Sequence, residues 1–209
     1  MINISAITVA LLCVTVGCSQ SSGSHAQLSS PSQTTSAQPS RSIGDRDTYA
    51  VYEALLGGTP LGGAKVSSDT IAIKDRTAVG SVCSDPSKEL DPRLRPAGED
   101  FAKQNSSEWL LKLDQLDLGR KVEVVSSAEL DRIFSEGVFE GWANFDKRYP
   151  GVHGYIELSA VGFTPDRNFA VVYSAVHCGP KCGTGAVVTL SKKDGTWRKN
   201  PDRLCSWIS

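Results

Sequence analysis

The fold of this chain depends most on one stretch, Phe169-Ala170-Val171-Val172-Tyr173-Ser174-Ala175-Val176, which is almost entirely apolar and rich in strand-forming residues. An apolar run of this length without alternation is typical of a central strand that is covered on both faces. The residues before it, Thr164-Pro165-Asp166-Arg167-Asn168, have the composition of a turn. The sequence therefore predicts a strand over 169–176 that follows a turn.

Further strands are predicted on both sides of this central run. Residues 155–163 alternate between apolar and polar positions, as a half-buried strand does. On the C-terminal side, residues 186–190 form the next predicted strand, and Asp194-Gly195 is a hairpin turn that leads into Thr196-Trp197-Arg198. The C-terminal third is therefore predicted to be an antiparallel meander.

The residues before the meander are predicted to be mainly helical. One helix covers 48–56 with Asp47 as its N-cap, and a second covers 97–113. A third helix opens with the capping-box pattern Ser126-Ser127-Ala128-Glu129. Short strands are also predicted over 65–74 and 120–125.

Four aromatic side chains recur at spacings of three and four residues, which is the spacing of one helix face. They are Phe139, Trp142, Phe145 and Tyr149. Such a stripe is sometimes a ligand platform, but more often it is the face by which a helix packs on a core, and we expect a packed helix. The predicted helices come first in the chain and the predicted hairpins follow them. This order predicts an α+β domain, with N-terminal helices packed on one face of a mainly antiparallel C-terminal β-meander.

The chain begins with a short apolar segment that is typical of an export signal. Residues 4–16 are too few to span a bilayer, and the segment ends in Thr15-Val16-Gly17-Cys18. This ending resembles the lipobox of bacterial lipoproteins, in which the cysteine is acylated after the preceding peptide is removed. We therefore predict a lipoprotein-type signal peptide over 1–17 and lipidation of Cys18. The alternative is cleavage after Ala26, which gives a soluble exported protein.

A polar segment follows the predicted cleavage site. Residues 18–44 are dominated by Ser, Gln, Thr, Pro and Ala, so we expect a disordered tether there and a single globular α+β domain over 45–209. The expected location is the cell membrane or the outer membrane, with lipid anchoring. The alternative is a soluble protein that is periplasmic or secreted.

The charge of the chain gives no reason to expect nucleic acid or an anionic membrane surface as a partner. Its 22 Lys and Arg residues and 23 Asp and Glu residues give a formal net charge of -1, and the charges are scattered along the sequence. The expected partners are the membrane, through the lipid at Cys18, and a protein of the cell envelope. No cofactor and no metal are predicted.

Four cysteines fall in the predicted domain, namely Cys83, Cys178, Cys182 and Cys205. An even number in an exported protein favours disulfides, and four cysteines allow three pairings. We favour Cys178–Cys182, which closes a local hairpin, and Cys83–Cys205, which ties a loop to the C-terminus. The alternative is a zinc site formed by Cys178, Cys182, Cys205 and His177. Redox chemistry by Cys178 and Cys182 is a weaker hypothesis.

Sequence motifs for catalysis are largely absent. The chain contains no Gly-x-Ser-x-Gly, His-Glu-x-x-His or Walker sequence. A thiolate beside an imidazole, as in His177-Cys178, is a candidate nucleophile, but neighbouring residues of a strand point to opposite faces. Gly183-Thr184-Gly185 is expected to be a backbone feature beside the Cys178–Cys182 turn, where the dihedral angles require glycine.

From Gly141 onward the sequence carries a distinctive series of motifs. They are Gly141-Trp142, Arg148-Tyr149-Pro150-Gly151, Gly154-Tyr155-Ile156-Glu157-Leu158-Ser159-Ala160-Val161-Gly162-Phe163, Cys178-Gly179-Pro180-Lys181-Cys182-Gly183-Thr184-Gly185 and Lys192-Lys193-Asp194-Gly195-Thr196-Trp197. This series resembles a family of uncharacterised bacterial exported proteins, many of them lipoproteins. The resemblance implies an exported domain and no particular reaction. Two departures from the family pattern are Pro180-Lys181 and the additional Cys205.

Two functions are compatible with these observations. The leading hypothesis is a non-enzymatic interaction or binding module of the cell envelope, because the chain has an export leader and no catalytic cluster. The alternative is an exported hydrolase whose site is dispersed in the sequence. That alternative requires a histidine, His153 or His177, close to a carboxylate or a serine hydroxyl. The candidate carboxylates are Asp75 and Asp166.

Overall fold

Helices and strands account for most of the residues that the computed structural model describes, which are 42–57, 70–80 and 85–209. The helices are α1 (Arg46–Leu56), α2 (Arg95–Gln104), α3 (Ser127–Ile133) and α4 (Val138–Arg148). The strands are β1 (Thr70–Lys74), β2 (Lys121–Val125), β3 (Tyr155–Leu158), β4 (Gly162–Phe163), β5 (Phe169–Gly179), β6 (Cys182–Lys193) and β7 (Thr196–Ile208). The α+β prediction is confirmed. The predicted signal peptide, Cys18 and Cys83 lie outside the described residues.

The strands join one sheet in the order β2-β1-β3-β5-β6-β7, and β4 pairs with β5. Strands β5, β6 and β7 form the antiparallel meander that the sequence predicts. Strand β1 is parallel to both of its neighbours, β2 and β3, which the sequence did not indicate. The carboxyl ends of β1, β2 and β3 therefore lie at the same end of the sheet.

Strand β5 is covered on both faces, as its apolar sequence predicts. Ala170 and Val172 pack in a core cluster with the buried side of α1, whereas Val171 and Tyr173 pack in another cluster with α2. Successive residues of a strand point to opposite faces. Helix α1 therefore covers one face, here called the first face, and α2 covers the second face. The prediction that the helices share one face is wrong, because the apolar central strand is covered on both sides.

The domain begins earlier in the chain than position 45. The Ile43 N–H donates a hydrogen bond of 3.0 Å to the Leu110 carbonyl, and Ser42 forms a β-bridge with the same residue. Ile43 also packs against the core of the first face. The predicted tether over 18–44 is therefore too long at its C-terminal end, and the folded part includes Ser42.

Helix α1 is capped by Asp45 rather than by Asp47. The Asp45 side chain accepts a hydrogen bond from the Asp47 N–H at 3.2 Å. The Asp47 carboxylate instead pairs with two distant cations, Arg167 and Lys192, at 2.9 Å each. The first turn of α1 is therefore fastened to the β4–β5 turn and to the end of β6.

Helix α2 ends at Gln104 instead of continuing to 113, and the side chain of Asn105 bonds both to the last turn of the helix and to Ala160 outside it. Its amide nitrogen donates to the carbonyls of Phe101 and Ala160 at 2.8 and 3.0 Å. Its amide oxygen accepts from the Ala160 N–H at 2.8 Å. These bonds also hold the chain where the predicted strand over 155–163 is divided into β3 and β4. Asn105 is 3% exposed, so this link is part of the core.

Candidate functional site

The candidate site lies at the carboxyl ends of the three parallel strands. Ligands of sheets with parallel strands commonly bind outside this end. Lys74 is the last residue of β1, and its Nζ lies 2.8 Å from Oε1 of Glu157 on β3. Both side chains are only 19% exposed. The end of the sheet therefore carries a partly buried ion pair that joins two strands.

The side chain of His177 extends this pair along the second face. Tyr155 and Glu157 are two residues apart on β3 and so share a face, and Tyr155 is the direct cross-strand partner of His177. Nε2 of His177 lies 3.5 Å from Oε2 of Glu157. This nitrogen is buried and makes no hydrogen bond with the described residues. Lys74, Glu157 and His177 therefore form a line of polar groups, here called the polar triad.

The polar triad lies between two groups of helices. Ala72 of β1 pairs with Tyr155 and belongs to the cluster under α3 and α4. Glu157 pairs with Ala175, which belongs to the cluster under α2. Residues that pair directly across strands share a face, so α2, α3 and α4 all cover the second face. The triad occupies the interval between them.

The electrostatic surroundings keep Glu157 ionised. Burial on its own raises the pKa of this carboxyl, but the contact with His177 and the hydrogen bond and charge of Lys74 outweigh burial and lower its pKa to about 2. Burial and the charge of Glu157 raise the pKa of Tyr155 to about 12. Near neutral pH Glu157 is a fixed negative charge and Tyr155 is a neutral hydroxyl.

Aromatic rings line up beside the triad as a stack, here called the aromatic ladder. It consists of Trp142, Tyr155, His177 and Trp207. The ring centroids are 6.0 Å apart for Trp142 and Tyr155, 4.8 Å for Tyr155 and His177, and 5.8 Å for His177 and Trp207. The first two pairs are close to parallel, with interplanar angles of 20° and 21°. Stacked rings cover one another's faces, so the ladder is a packing element rather than a flat platform for a ligand.

The aromatic stripe of α4 is a packed helix face for three of its four members. Phe145 is fully buried, Tyr149 is 5% exposed, and Trp142 packs half-buried against the same cluster. Phe139 is the exception, because it is 68% exposed at the start of α4. The predicted stripe therefore has one member that faces solvent.

Two glycines of β6 make room for the last ring of the ladder. A Cβ atom on Gly185 would lie 2.4 Å from Nε1 of Trp207, and one on Gly183 would lie 3.1 Å from Cζ3 of the same ring. The indole N–H donates to the Tyr173 hydroxyl at 3.1 Å. The glycines of Gly183-Thr184-Gly185 are therefore explained by close packing of Trp207, not by special dihedral angles as predicted.

A cleft of about 530 Å³ opens next to Lys74 and Tyr155. One wall of the cleft is a single face of α3, because its residues are three or four positions apart in the sequence. This wall consists of Ser127, Leu130, Asp131 and Phe134. Glu108 completes the lining and is paired with Arg76 at 3.2 Å. The cleft thus offers an ammonium group, two hydroxyls, carboxylates and two aromatic rings to a small polar molecule.

The cysteines near the site are joined in disulfides. Cys178 and Cys182 form the predicted disulfide, which closes the β5–β6 turn beside His177. A linked pair has no thiolate to offer, so the zinc site and the His177-Cys178 nucleophile are both wrong. Cys205 is also disulfide-bonded. The Cys83–Cys205 pairing stays a prediction, since Cys83 is outside the part of the chain that the structure describes.

The carboxylates proposed from sequence as partners of a histidine are engaged elsewhere. Asp75 accepts hydrogen bonds from the N–H and hydroxyl of Ser127 at 2.9 and 3.2 Å, which holds the start of α3. Asp166 accepts from the Thr164 hydroxyl within its turn. His177 meets Glu157, which sequence reasoning missed. The available signal was a charged residue at the end of β1, Lys74, and one next to the end of β3, Glu157, on mainly apolar strands.

Comparison with protein-family models, curated proteins and solved structures found no match for this chain. The resemblance to a family of exported proteins therefore remains a prediction. Within 42–57, 70–80 and 85–209, no group of three or more His, Cys, Asp or Glu residues is placed to hold a metal ion. None of the helices in these ranges is long and apolar enough to span a membrane.

Proposed function

We propose that this chain is a cell-envelope lipoprotein anchored through Cys18, and that its domain is a non-enzymatic binding module. The proposed ligand site is the cleft beside Lys74 and Tyr155, and the ligand class is a small polar molecule. The observation that carries this proposal is that Lys74 and Glu108, two of the three charged groups that line the cleft, are held in ion pairs. A group that is already paired can orient a ligand by hydrogen bonds without exchanging a proton with it.

The ion pairs around the cleft favour a binding function over a catalytic one. Glu157 is held as an anion by Lys74 and His177, and Glu108 is paired with Arg76. General acid–base catalysis works best with a group whose pKa is close to the working pH. A carboxyl with a pKa of about 2 is a poor proton donor or acceptor near neutrality.

The Cys178–Cys182 disulfide supports export. Disulfides persist in oxidising compartments and are rare in the cytosol. The sequence at Cys18 supports anchoring in the cell membrane or the outer membrane, and a protein of the envelope is the second proposed partner. Neither nucleic acid nor a cofactor has a role in this proposal.

Intact mass of the protein extracted from membranes tests the location. The expected mass corresponds to a chain that starts at Cys18, with acyl groups added and two disulfides closed. A Cys18→Ser variant is the control and should lack the acyl mass. A parent protein that retains Met1 and carries no acyl group contradicts the proposal.

The ligand site is tested with small probes and the full chain carrying Cys18→Ser. The probes are amino acids, dipeptides and disaccharides. Their binding is detected by changes in the amide NMR signals of Ser127, Asp131 and Tyr155. Loss of one hydrogen bond in Tyr155→Phe should weaken a binding probe about tenfold. Asp146→Asn, on an exposed part of α4, should leave binding unchanged. If no probe shifts the cleft signals, the proposed ligand class is wrong.

The alternative, an exported hydrolase, is favoured by one observation. A buried imidazole nitrogen lies 3.5 Å from a carboxylate in the His177–Glu157 pair, and such a pair is one half of many hydrolytic sites. The same probe set decides between the two functions. Cleavage of a dipeptide or disaccharide, at a rate that His177→Gln abolishes, would establish the hydrolase.

A further inference from the structure

Positive charge is concentrated in the last two strands of the sheet. The whole chain has a formal net charge of -1, yet residues 180–209 contain six basic and only two acidic residues. The basic residues are Lys181, Lys192, Lys193, Arg198, Lys199 and Arg203. Most of these residues lie on β6 and β7, and β7 is an edge strand of the sheet.

Two of these cations lie on the same face of β7, and neither has an ion-pair partner among the described residues. Lys199 pairs with Leu190 and Arg203 pairs with Val188, and both partners belong to the core of the first face. Lys199 and Arg203 therefore project to the same side. Neither forms an ion pair with a described residue, whereas Lys192 is held by Asp47 at 2.9 Å. Burial, with a smaller effect from the charge of Arg203, lowers the pKa of Lys199.

Like charges held close together are destabilising unless an anion compensates them. Arg198 precedes Lys199 on the strand and therefore points to the opposite face, and Lys193 pairs with Thr196 on that opposite face. Both are exposed at the same edge and also have no ion-pair partner among the described residues. We call Lys193, Arg198, Lys199 and Arg203 the basic edge. An anion from outside the domain would compensate the positive charge of the basic edge.

The backbone of β7 argues against a partner that adds an eighth strand. Its pairing with β6 has register shifts between Val187 and Val188 and between Val188 and Leu190, and Pro201 lies within the strand. Bulges and proline are features that block strand addition at a sheet edge. The side chains of the basic edge remain free to contact a flat anionic surface, which needs no backbone ladder.

The position of the basic edge fits a membrane. Asp47, in the first turn of α1, pairs with Lys192 at the end of β6, so the chain enters the domain close to the β6–β7 turn. Cys18 precedes Ser42 by 24 positions, and a chain of that length can reach at most about 80 Å. A lipid on Cys18 would hold the basic edge within reach of the bilayer.

We propose that the basic edge docks on the anionic headgroups of the membrane. This proposal builds on the lipid anchor of the proposed function, but its contacts do not require the lipid. Each Lys or Arg near an anionic bilayer strengthens attachment about fivefold. The docked domain would lie with β7 against the surface.

Vesicle flotation of the full chain carrying Cys18→Ser tests the proposal without an acyl chain. Vesicles of equal parts phosphatidylglycerol and phosphatidylcholine are compared with pure phosphatidylcholine, so that insertion of the apolar leader is subtracted. We expect selective binding to the anionic vesicles. Raising NaCl from about 0.1 M to about 0.5 M should abolish the difference, because salt screens the attraction.

Charge-neutral variants locate the contact. Replacing Arg198, Lys199 and Arg203 by Gln should reduce the anionic component of binding roughly a hundredfold. The control replaces Arg95, Lys103 and Lys147 by Gln, which removes the same charge from α2 and α4 and should change binding less than about twofold. The single variant Arg203→Gln, with an expected loss of about fivefold, serves if the triple variant does not fold.

Three results would overturn the proposal. They are no preference for anionic vesicles, equal losses in the basic-edge and control triples, and binding to a single-stranded oligonucleotide without binding to vesicles. Because this assay contains no acylated protein, its failure leaves the lipid anchor to be judged by intact mass. A parent protein whose intact mass shows no acyl group, together with a Cys18→Ser variant that binds anionic vesicles, would refute the anchor and retain the docking surface.

Discussion

Nζ of Lys74 lies 2.8 Å from Oε1 of Glu157, so one ion pair joins the carboxyl ends of β1 and β3. Removing one partner of a partly buried pair leaves the other charge without compensation. We expect Glu157→Gln to lower the free energy of unfolding by about 2–3 kcal/mol, measured by urea denaturation. Glu123→Gln breaks the more exposed pair with Lys121 and should cost less than about 1 kcal/mol. Equal losses in the two variants would contradict a special role for Glu157.

The same carboxylate makes the free energy of unfolding depend on pH. The pKa of Glu157 is lowered from 4.5 to about 2 on folding, so the folded state releases this proton more readily than the unfolded state. Its contribution is complete above pH 4.5 and is lost as the pH falls towards 2. The loss should reach about 3 kcal/mol in the parent protein. Urea unfolding across this range should show a smaller pH dependence in Glu157→Gln.

The Cys178–Cys182 disulfide closes a turn of only a few residues. On the loop-entropy view, replacing both cysteines by Ala should cost about 2 kcal/mol of unfolding free energy. An unchanged urea midpoint in the double variant would show that the turn is equally well formed without the link.

Packing of Trp207 on β6 requires glycine at position 185. The added Cβ of Gly185→Ala would lie 2.4 Å from Nε1 of Trp207 and 2.8 Å from the Tyr173 hydroxyl. We expect a loss of about 1–3 kcal/mol and a red shift of tryptophan fluorescence as the ring moves into water. Gly44→Ala is the matched control, because a Cβ there meets no atom within 4 Å. If Gly185→Ala keeps the parent spectrum, Trp207 does not pack as described.

The buried amide of Asn105 should be one of the costliest groups to remove. Asn105→Ala deletes the hydrogen bonds to Phe101 and Ala160 and leaves the Ala160 N–H without its partner in the core. We expect a loss of about 2–4 kcal/mol. Ser106→Ala removes one exposed hydrogen bond from the next residue and should stay within about 0.5 kcal/mol. Thermal denaturation of the two variants compares them directly.

Local patterns in the sequence predicted the elements whose residues interact within a few positions. Strand β5 and the β6–β7 turn follow directly from the apolar run and from Asp194-Gly195. Ser126 caps α3 by accepting from the Glu129 N–H at 3.1 Å, as the capping box predicts. The Glu129 carboxylate does not return to the cap and pairs instead with Arg132 and Arg148.

The features that escaped prediction depend on residues far apart in the chain. Lys74 and Glu157 are separated by 83 positions, and no local pattern tells which strand lies beside β1. The Asn105 side chain at the end of α2 is bonded in the same way to Ala160, which lies 55 positions after it. The polar triad is therefore a product of strand order, and strand order is set by long-range packing.

The attachment of α1 has a consequence for the order in which this protein folds. Asp47 pairs with Arg167 and Lys192, which lie 120 and 145 positions later, and α1 packs on strands from the last quarter of the chain. Contacts between such distant positions form slowly. A polypeptide that is threaded through a pore from its N-terminus would have to deliver almost all of its length before α1 found its partners. A domain with this topology, if delivered in that way, would stay open during passage and close on the far side.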